Sequence, residues 1–429
     1  MTLAPMLRFF IFLLVMSGLG LAPAAAYSVL AHQANVDSCW KTCLAPALQR
    51  RFPGASAEDL EKARAYAYGG SIIQDMGYYP LGAVLFTNLT HYVRSGDFVR
   101  NLLDEAHDRN EYAFALGALA HYAADLHGHS EGTNRAMPLV YPELKAKYGN
   151  VITYEEGPKQ HNQLEFAFDV TQLAAGRYRT QEYHRVIGFE VAKELLERAF
   201  EKTYGLPLSK VFLNTDVSIG TFRFSVQHVI PLASRAAWHY QKKEIRNLNP
   251  GVRRREFVYK QSKKEYHNLY GTGYKRPGFG ARVLSVFIGI LPKIGPLKPF
   301  AFRPPTPEAA KIFRSSFASV LKAYCGLLGE QEGPRGAAPA LANDDFDTGH
   351  ATHFGEYGLA DKTYGEWVRK LAREKFAGVT SPVRANILAF FAPAQAAPAD
   401  KEEKEADNRR ETEQALAELR NLPGALIGK

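Results

Sequence analysis

Cysteine is scarce in this chain of 429 residues, which contains only three. Cys39 and Cys43 are four residues apart, a helical spacing that is poorly placed for a disulfide, and we predict both to be small buried apolar residues. Three cysteines exclude a small domain held together by a disulfide framework. The fold must instead rest on a hydrophobic core, which the length and the 46% of hydrophobic residues allow.

Alternating strand patterns and internal repeats are also missing, whereas helical patterns are common. Apolar positions recur at spacings of three and four in residues 58–68 and 97–108, and residues 112–125 are apolar on nearly all faces, as in a buried helix. We therefore predict an all-α fold. Further helices are expected at residues 189–203, 221–240, 308–328 and 363–376, with a loop at residues 343–355.

The N-terminus is typical of a targeting signal. Arg8 precedes an apolar run over residues 9–21, and residues 24–26 are three alanines that suit a cleavage site. We predict a signal peptide over residues 1–26 and an exported mature chain, periplasmic or secreted, that begins at Tyr27. An uncleaved anchor is the alternative.

The remaining chain is divided by composition. A catalytic domain is predicted at residues 27–240, a helical extension at 241–395 and a charged tail at 396–429, either a solvated helix or disordered. The net charge of +9 is concentrated in residues 242–264, which form either a surface for anionic partners or a solvated helix face. The apolar, proline-interrupted residues 281–302 form either core or a hairpin that enters a lipid surface.

Two pairs of a histidine and a carboxylate carry the strongest chemical signal. His121 and Asp125 are four residues apart, so they share one face of the apolar helix, and His161 and Glu165 repeat the spacing. Buried titratable groups are costly without partners, and a metal ion would satisfy both members of a pair. One such pair is common by chance, whereas two in one chain indicate a metal site.

Other candidate ligands are more isolated along the chain. Imidazole and carboxylate ligands without thiolate are typical of catalytic zinc sites, whereas all-carboxylate sites favour magnesium or calcium. Residue types alone leave manganese and iron open. The isolated candidates are His32, Asp75, His91 and His129, with His127 and Glu131 as competitors of His129.

These residues resemble the zinc-dependent phospholipase C family, which shares a trinuclear site with fungal single-strand nucleases. The spacing around His129 is similar to that in the N-terminal domain of glycosylphosphatidylinositol-specific phospholipase D. The resemblance implies a mostly helical fold with about three zinc ions, Asp125 as the bridge between two ions and Asp75 as a group that orients the nucleophile. The implied metal ligands are Tyr27, through its α-amino group and carbonyl, and His32, Asp75, His91, His121, Asp125, His129, His161 and Glu165.

The expected activity is phosphodiester hydrolysis, with phospholipid as the first choice of substrate and peripheral contact with an anionic membrane. Single-stranded nucleic acid is the first alternative and would require aromatic platforms, for which Tyr78, Tyr79 and Tyr92 are candidates. The second alternative is a non-catalytic zinc-binding protein of the cell envelope. His350 and His353 are interpreted as loop residues, and the oligomeric state is left open.

Overall fold

The computed structural model describes residues 29–178, 189–258, 303–330, 339–392 and 403–422. Three predicted features lie outside these ranges: the signal peptide, Tyr27 and the apolar residues 281–302. The basic segment is described as far as Val258.

Within the described ranges the regular elements are helical and no strand is formed, so the all-α prediction is confirmed. None of the described helices has both the length and the apolar character needed to cross a membrane. The first eight helices are α1 (Val29–Cys39), α2 (Ala45–Arg51), α3 (Ala57–Gly70), α4 (Val84–Tyr92), α5 (Ser95–Glu105), α6 (Arg109–His127), α7 (Asn134–Val140) and α8 (Pro142–Tyr148). The others are α9 (Pro158–Ala174), α10 (Lys193–Tyr204), α11 (Thr215–Leu248), α12 (Arg254–Phe257), α13 (Pro307–Glu330), α14 (Gly358–Arg373), α15 (Ser381–Phe390) and α16 (Glu403–Asn421).

Helix α6 runs through the core, which explains its uniformly apolar sequence. Asp108 caps its N-terminus by accepting hydrogen bonds from the backbone N–H groups of Asn110 and Glu111. Helix α3 crosses α6 so closely that a Cβ atom added to Gly117 would lie 2.1 Å from the carbonyl oxygen of Ala67. Only glycine permits this close contact. The contact places α3, and the turn that follows α3, against the face of α6 that carries the candidate ligands.

The C-terminal elements pack directly on the N-terminal helices. The Tyr324 hydroxyl on α13 donates to the carbonyl oxygen of Leu116 on α6 at 2.9 Å. The Trp367 indole on α14 donates to the carbonyl oxygen of Tyr204 at 2.9 Å. Within the charged tail, residues 403–421 form helix α16, which buries an apolar face that includes Leu419. The loop expected at residues 343–355 is present, whereas the domain boundaries stay predictions.

The cysteine prediction was wrong for Cys43, which forms a disulfide with Cys325 on α13. Cys39 is a buried free thiol, as expected. The helical spacing concerns only Cys39 and Cys43, whereas the partner of Cys43 is 282 residues away in the chain. The bridge ties α13 to the short π-helical segment Trp40–Leu44 that follows α1.

Removing this disulfide is expected to destabilise the protein. In Cys43→Ser, the free energy of unfolding should fall by about 3–5 kcal/mol, because the bridge closes a very long loop of the unfolded chain. The measurement is urea denaturation of the non-reduced variant beside wild type, with thiol titration of the unfolded chains. Cys39→Ala is the control that keeps the bridge. Three free thiols in unreduced wild type would contradict the assignment.

Candidate metal centre

Five of the predicted ligands meet at one buried position, which we call the first metal centre. His121 and Asp125 come from α6, and the other three come from α1, from the 3₁₀ turn Ile73–Tyr78 and from α4. The sequence prediction that these residues lie together is therefore supported by the geometry. The centre consists of His32, Asp75, His91, His121 and Asp125, all nearly inaccessible to solvent.

The two oxygens of Asp125 face different histidines. Oδ1 lies 3.4 Å from Nε2 of His32, while Oδ2 lies 3.1 Å from Nε2 of His121 and 3.3 Å from Nε2 of His91. Neither oxygen has a hydrogen-bond partner among the described residues, although the side chain is fully buried. Buried carboxylate oxygens normally have partners, and a cation on either side of Asp125 would satisfy these two.

Backbone carbonyls orient two of these imidazoles. Nδ1 of His91 lies 2.8 Å from the carbonyl oxygen of Thr87, and Nδ1 of His121 lies 3.0 Å from that of Ser71. An acceptor at Nδ1 fixes the proton there and leaves the lone pair on Nε2. The Nε2 atoms of His91 and His121 are 3.4 Å apart. Oδ1 of Asp75 also lies 3.4 Å from Nε2 of His91. Atoms bound to one tetrahedral zinc ion are separated by about 3.4 Å, given Zn–N and Zn–O distances of about 2.1 Å.

Three further predicted ligands form the second metal centre, which consists of His129, His161 and Glu165. Oε1 of Glu165 lies 3.0 Å from Nδ1 of His161 on the same helix, α9, and 3.5 Å from Nε2 of His129. Neither oxygen of Glu165 has a hydrogen-bond partner within the described ranges. His129 lies in the π-helical turn Gly128–Thr133 that directly follows α6.

Burial distinguishes His129 from its competitors His127 and Glu131. His129 is buried beside Glu165, whereas His127 is partly exposed and pairs with Glu131 at 2.9 Å, apart from both centres. Asn134 supports the second centre, because its Oδ1 lies 3.0 Å from Nε2 of His161. That contact assigns the proton of His161 to Nε2 and leaves Nδ1 facing Glu165.

The electrostatics of both centres fit a cation. Burial raises the pKa of Glu165 well above its usual range and lowers that of His161 to about 4. Burial would also raise the pKa of Asp125, but His121 and His32 hold it well below its usual range. Burial alone would lower the pKa of His91, yet the nearby carboxylates of Asp125 and Asp75 raise it to about 10. A cation in either centre would offset the cost of burying these ionisable groups.

Two residues that the sequence analysis missed also reach the site, both from the loop before α14. Phe346 packs its ring 5.2 Å from that of His91. Asp347 places Oδ1 at 3.3 Å from Nδ1 of His129. No periodic pattern identifies them, since they belong to a loop that is close to the centres only in the folded chain. His350 and His353 of this loop are exposed and take no part in either centre, as expected.

The donor set suits zinc. Both centres offer only imidazole and carboxylate groups, which is the ligand chemistry of catalytic zinc sites. The three cysteines also lie close together, but Cys43 and Cys325 are joined in the disulfide. Tyr27, the remaining predicted ligand, lies outside the described residues.

Comparison with protein families agrees with this geometry. The family model described as zinc-dependent phospholipase C matches residues 32–214, a segment that begins at His32 and contains all eight described candidate ligands. Neither a curated protein nor a solved structure matches the chain. Asp347 and the disulfide partner Cys325 lie beyond the matched segment. Residues 32–214 are therefore similar to the zinc-dependent phospholipase C family, which supports the resemblance drawn from the sequence.

Proposed function

We propose that this protein is a phospholipase C that hydrolyses phospholipid head groups at a site of about three zinc ions. The family domain and the buried clusters of histidine and carboxylate support a zinc phosphodiesterase. The observation that carries the proposal is the carboxylate of Asp125, whose two oxygens face His32 on one side and His91 with His121 on the other. This is the arrangement expected of a carboxylate that bridges two ions.

The roles of the residues follow from their positions. Zinc, when bound, would polarise the phosphate and lower the pKa of a water molecule toward neutrality. Asp125 would hold the two ions of the first centre at a fixed separation. Asp75, whose Oδ1 and Oδ2 lie 3.4 Å from His91 and 4.0 Å from His32, would orient the attacking water. The second centre would bind phosphate oxygens and favour departure of the alcohol.

Export of the chain is part of the proposal. The α-amino group of Tyr27 becomes available as a ligand only when residues 1–26 are removed. The disulfide between Cys43 and Cys325 supports an oxidising compartment, since such bonds persist mainly outside the cytosol. The mature chain would then acquire its full set of ligands after processing.

The described part of the basic segment supports an anionic interface as the place of action. Lys242, Lys243 and Arg246 are exposed near the end of α11, and residues 253–255 add three exposed arginines. Positive charge near a membrane surface is attracted to acidic lipids. The same charge would also attract nucleic acid, so charge alone does not separate the two substrates. The prediction of aromatic stacking platforms was wrong for Tyr78 and Tyr92, because both side chains are buried and offer no face for base stacking.

Side-by-side hydrolysis of two substrates tests this proposal. The zinc-loaded mature chain is incubated with phosphatidylcholine vesicles that contain acidic lipid, and separately with single-stranded DNA. We expect release of the phosphorylated head group at a rate well above that of DNA cleavage. A matched variant with Lys242, Lys243 and Arg246 replaced by Gln should be slower on vesicles and unchanged on a soluble phosphodiester. Faster cleavage of DNA than of lipid would overturn the assignment of substrate.

A further inference from the structure

The side chain of Asp347 is held rigidly at the edge of the second metal centre. Oδ2 accepts a hydrogen bond from the backbone N–H of Tyr154 at 2.8 Å and another from the Tyr357 hydroxyl. The Asp347 carbonyl oxygen accepts from Nδ2 of Asn134 at 2.7 Å. Oδ1 is buried, lacks a hydrogen-bond partner among the described residues and lies 3.3 Å from Nδ1 of His129.

The loop around Asp347 is built to fit this position. Oδ1 of Asp345 accepts from the N–H groups of Asp347 and Thr348 at 2.9 and 2.8 Å, which forms a tight turn. Gly349 follows with φ of 81°, and a Cβ atom added there would lie 2.6 Å from Cβ of Ser130, beside His129. The backbone thus requires glycine where the loop meets the π-helical turn.

Three other histidines of the two centres share one arrangement. In each, one ring nitrogen contacts a fixed acceptor, and the opposite nitrogen faces a carboxylate of its centre. His91 and His121 use carbonyl oxygens, and His161 uses Asn134. In His129, Nε2 faces Glu165 at 3.5 Å, and the group opposite Nδ1 is Asp347.

We propose that Asp347 is a positioning residue that fixes the Nδ1–H tautomer of His129, so that Nε2 is free to bind the ion of the second centre. A carboxylate that accepts from a metal-binding imidazole orients the ring and raises its basicity. The inference rests on the proposed zinc chemistry. It makes a residue outside the family segment part of the site, so the C-terminal extension contributes to metal binding.

Direct ligation is the alternative role of Asp347, because one ligand atom each from Asp347, His129 and His161 lie within 4.8 Å of one another. It would use Nε2 of His161, which lies 4.0 Å from Oδ1 of Asp347 and already contacts Asn134 at 3.0 Å. It would also use Nδ1 of His129 and turn the lone pair of that ring away from Glu165. Nδ1 of His129 and Oδ1 of Asp347 lie 3.3 Å apart without forming a hydrogen bond, and the positioning role requires that this contact tighten when the ion binds.

Zinc affinity of full-length variants tests the proposal without an activity assay. Zinc per chain and the dissociation constant of the most weakly held ion are measured by competition with a chromophoric chelator. Asp347→Ala should weaken one ion about 10- to 100-fold and leave the others in place. Asp347→Asn keeps an oxygen acceptor for Nδ1–H and should restore most of the affinity. Asp344→Ala, a carboxylate removed from the same loop, is the control and should match wild type.

The outcomes separate this inference from the proposed function. If wild type binds no zinc, the proposed function fails. If wild type binds zinc and Asp347→Ala binds it equally well, only the inference fails. An Asn variant as weak as the Ala variant would indicate ligation and overturn the positioning role. Should Asp347→Ala not fold, hydrogen exchange of wild type decides: zinc should slow exchange in residues 343–357, and unchanged exchange there would refute the proposal.

Discussion

Asp125→Asn is expected to lower kcat/KM for phosphodiester hydrolysis about a thousandfold. The amide keeps the shape of the side chain but loses the charge that both sides of the first centre share. Metal ions supply several kcal/mol of transition-state stabilisation, and each 1.4 kcal/mol corresponds to a tenfold change in rate. The measurement is steady-state kinetics on a soluble chromogenic phosphodiester, with the zinc content of the same sample determined in parallel.

His127→Asn is the matched control for this variant, since His127 lies on the same helix, near its end, and belongs to neither centre. It should retain wild-type kinetics and zinc content. Undiminished hydrolysis by Asp125→Asn would contradict a catalytic metal centre and favour the non-catalytic zinc-binding protein. Loss of activity in both variants would point to general damage to α6 rather than to the bridge.

Chelation of the metal is expected to abolish hydrolysis and to lower the melting temperature by about 10 °C or more. A free zinc concentration a thousand times the dissociation constant stabilises the folded chain by about 4 kcal/mol for each ion, or about 12 kcal/mol for three ions. In a chain of this length, 1 kcal/mol corresponds to about 1 °C in the melting temperature. The centres bury the carboxylates of Asp75, Asp125 and Glu165, and without cations these side chains repel one another. The measurement is differential scanning calorimetry before and after treatment with chelator.

Restoration distinguishes zinc from other metals in this experiment. Zinc added back after removal of the chelator should recover both the melting temperature and the activity, whereas magnesium should recover neither, because imidazole ligands suit zinc better. Chelation should lower the melting temperature by less in Asp125→Asn, because this variant already lacks the carboxylate proposed to bridge two ions. An unchanged melting temperature in the wild-type chain would contradict buried metal centres.

Much of the site could be predicted because its strongest signals are local. His121 with Asp125, and His161 with Glu165, are single helical turns, so sequence spacing translates directly into spatial proximity. The uniform burial of α6 was also readable from its composition. The isolated ligands His32, Asp75 and His91 were assigned from the family resemblance, and the packing of α3 and α4 on α6 brings them together.

The features that were missed depend on long-range packing. Asp347 and Cys325 have no periodic relation to the groups they meet, and neither residue type is informative alone. The choice between His127 and His129 could not be made from spacing because the helix changes to π winding at Gly128, where the 3.6-residue period no longer applies. Physical proximity across the core, rather than sequence pattern, decides these positions.

The zinc content of the processed chain tests the central claim most directly. The protein is purified from its exported form, confirmed by mass to begin at Tyr27, and analysed for zinc by mass spectrometry after dialysis against metal-free buffer. Two buried centres, with Asp125 facing both sides of the first, predict about three zinc ions per chain. A content near zero in a folded, metal-replenished sample would contradict the account.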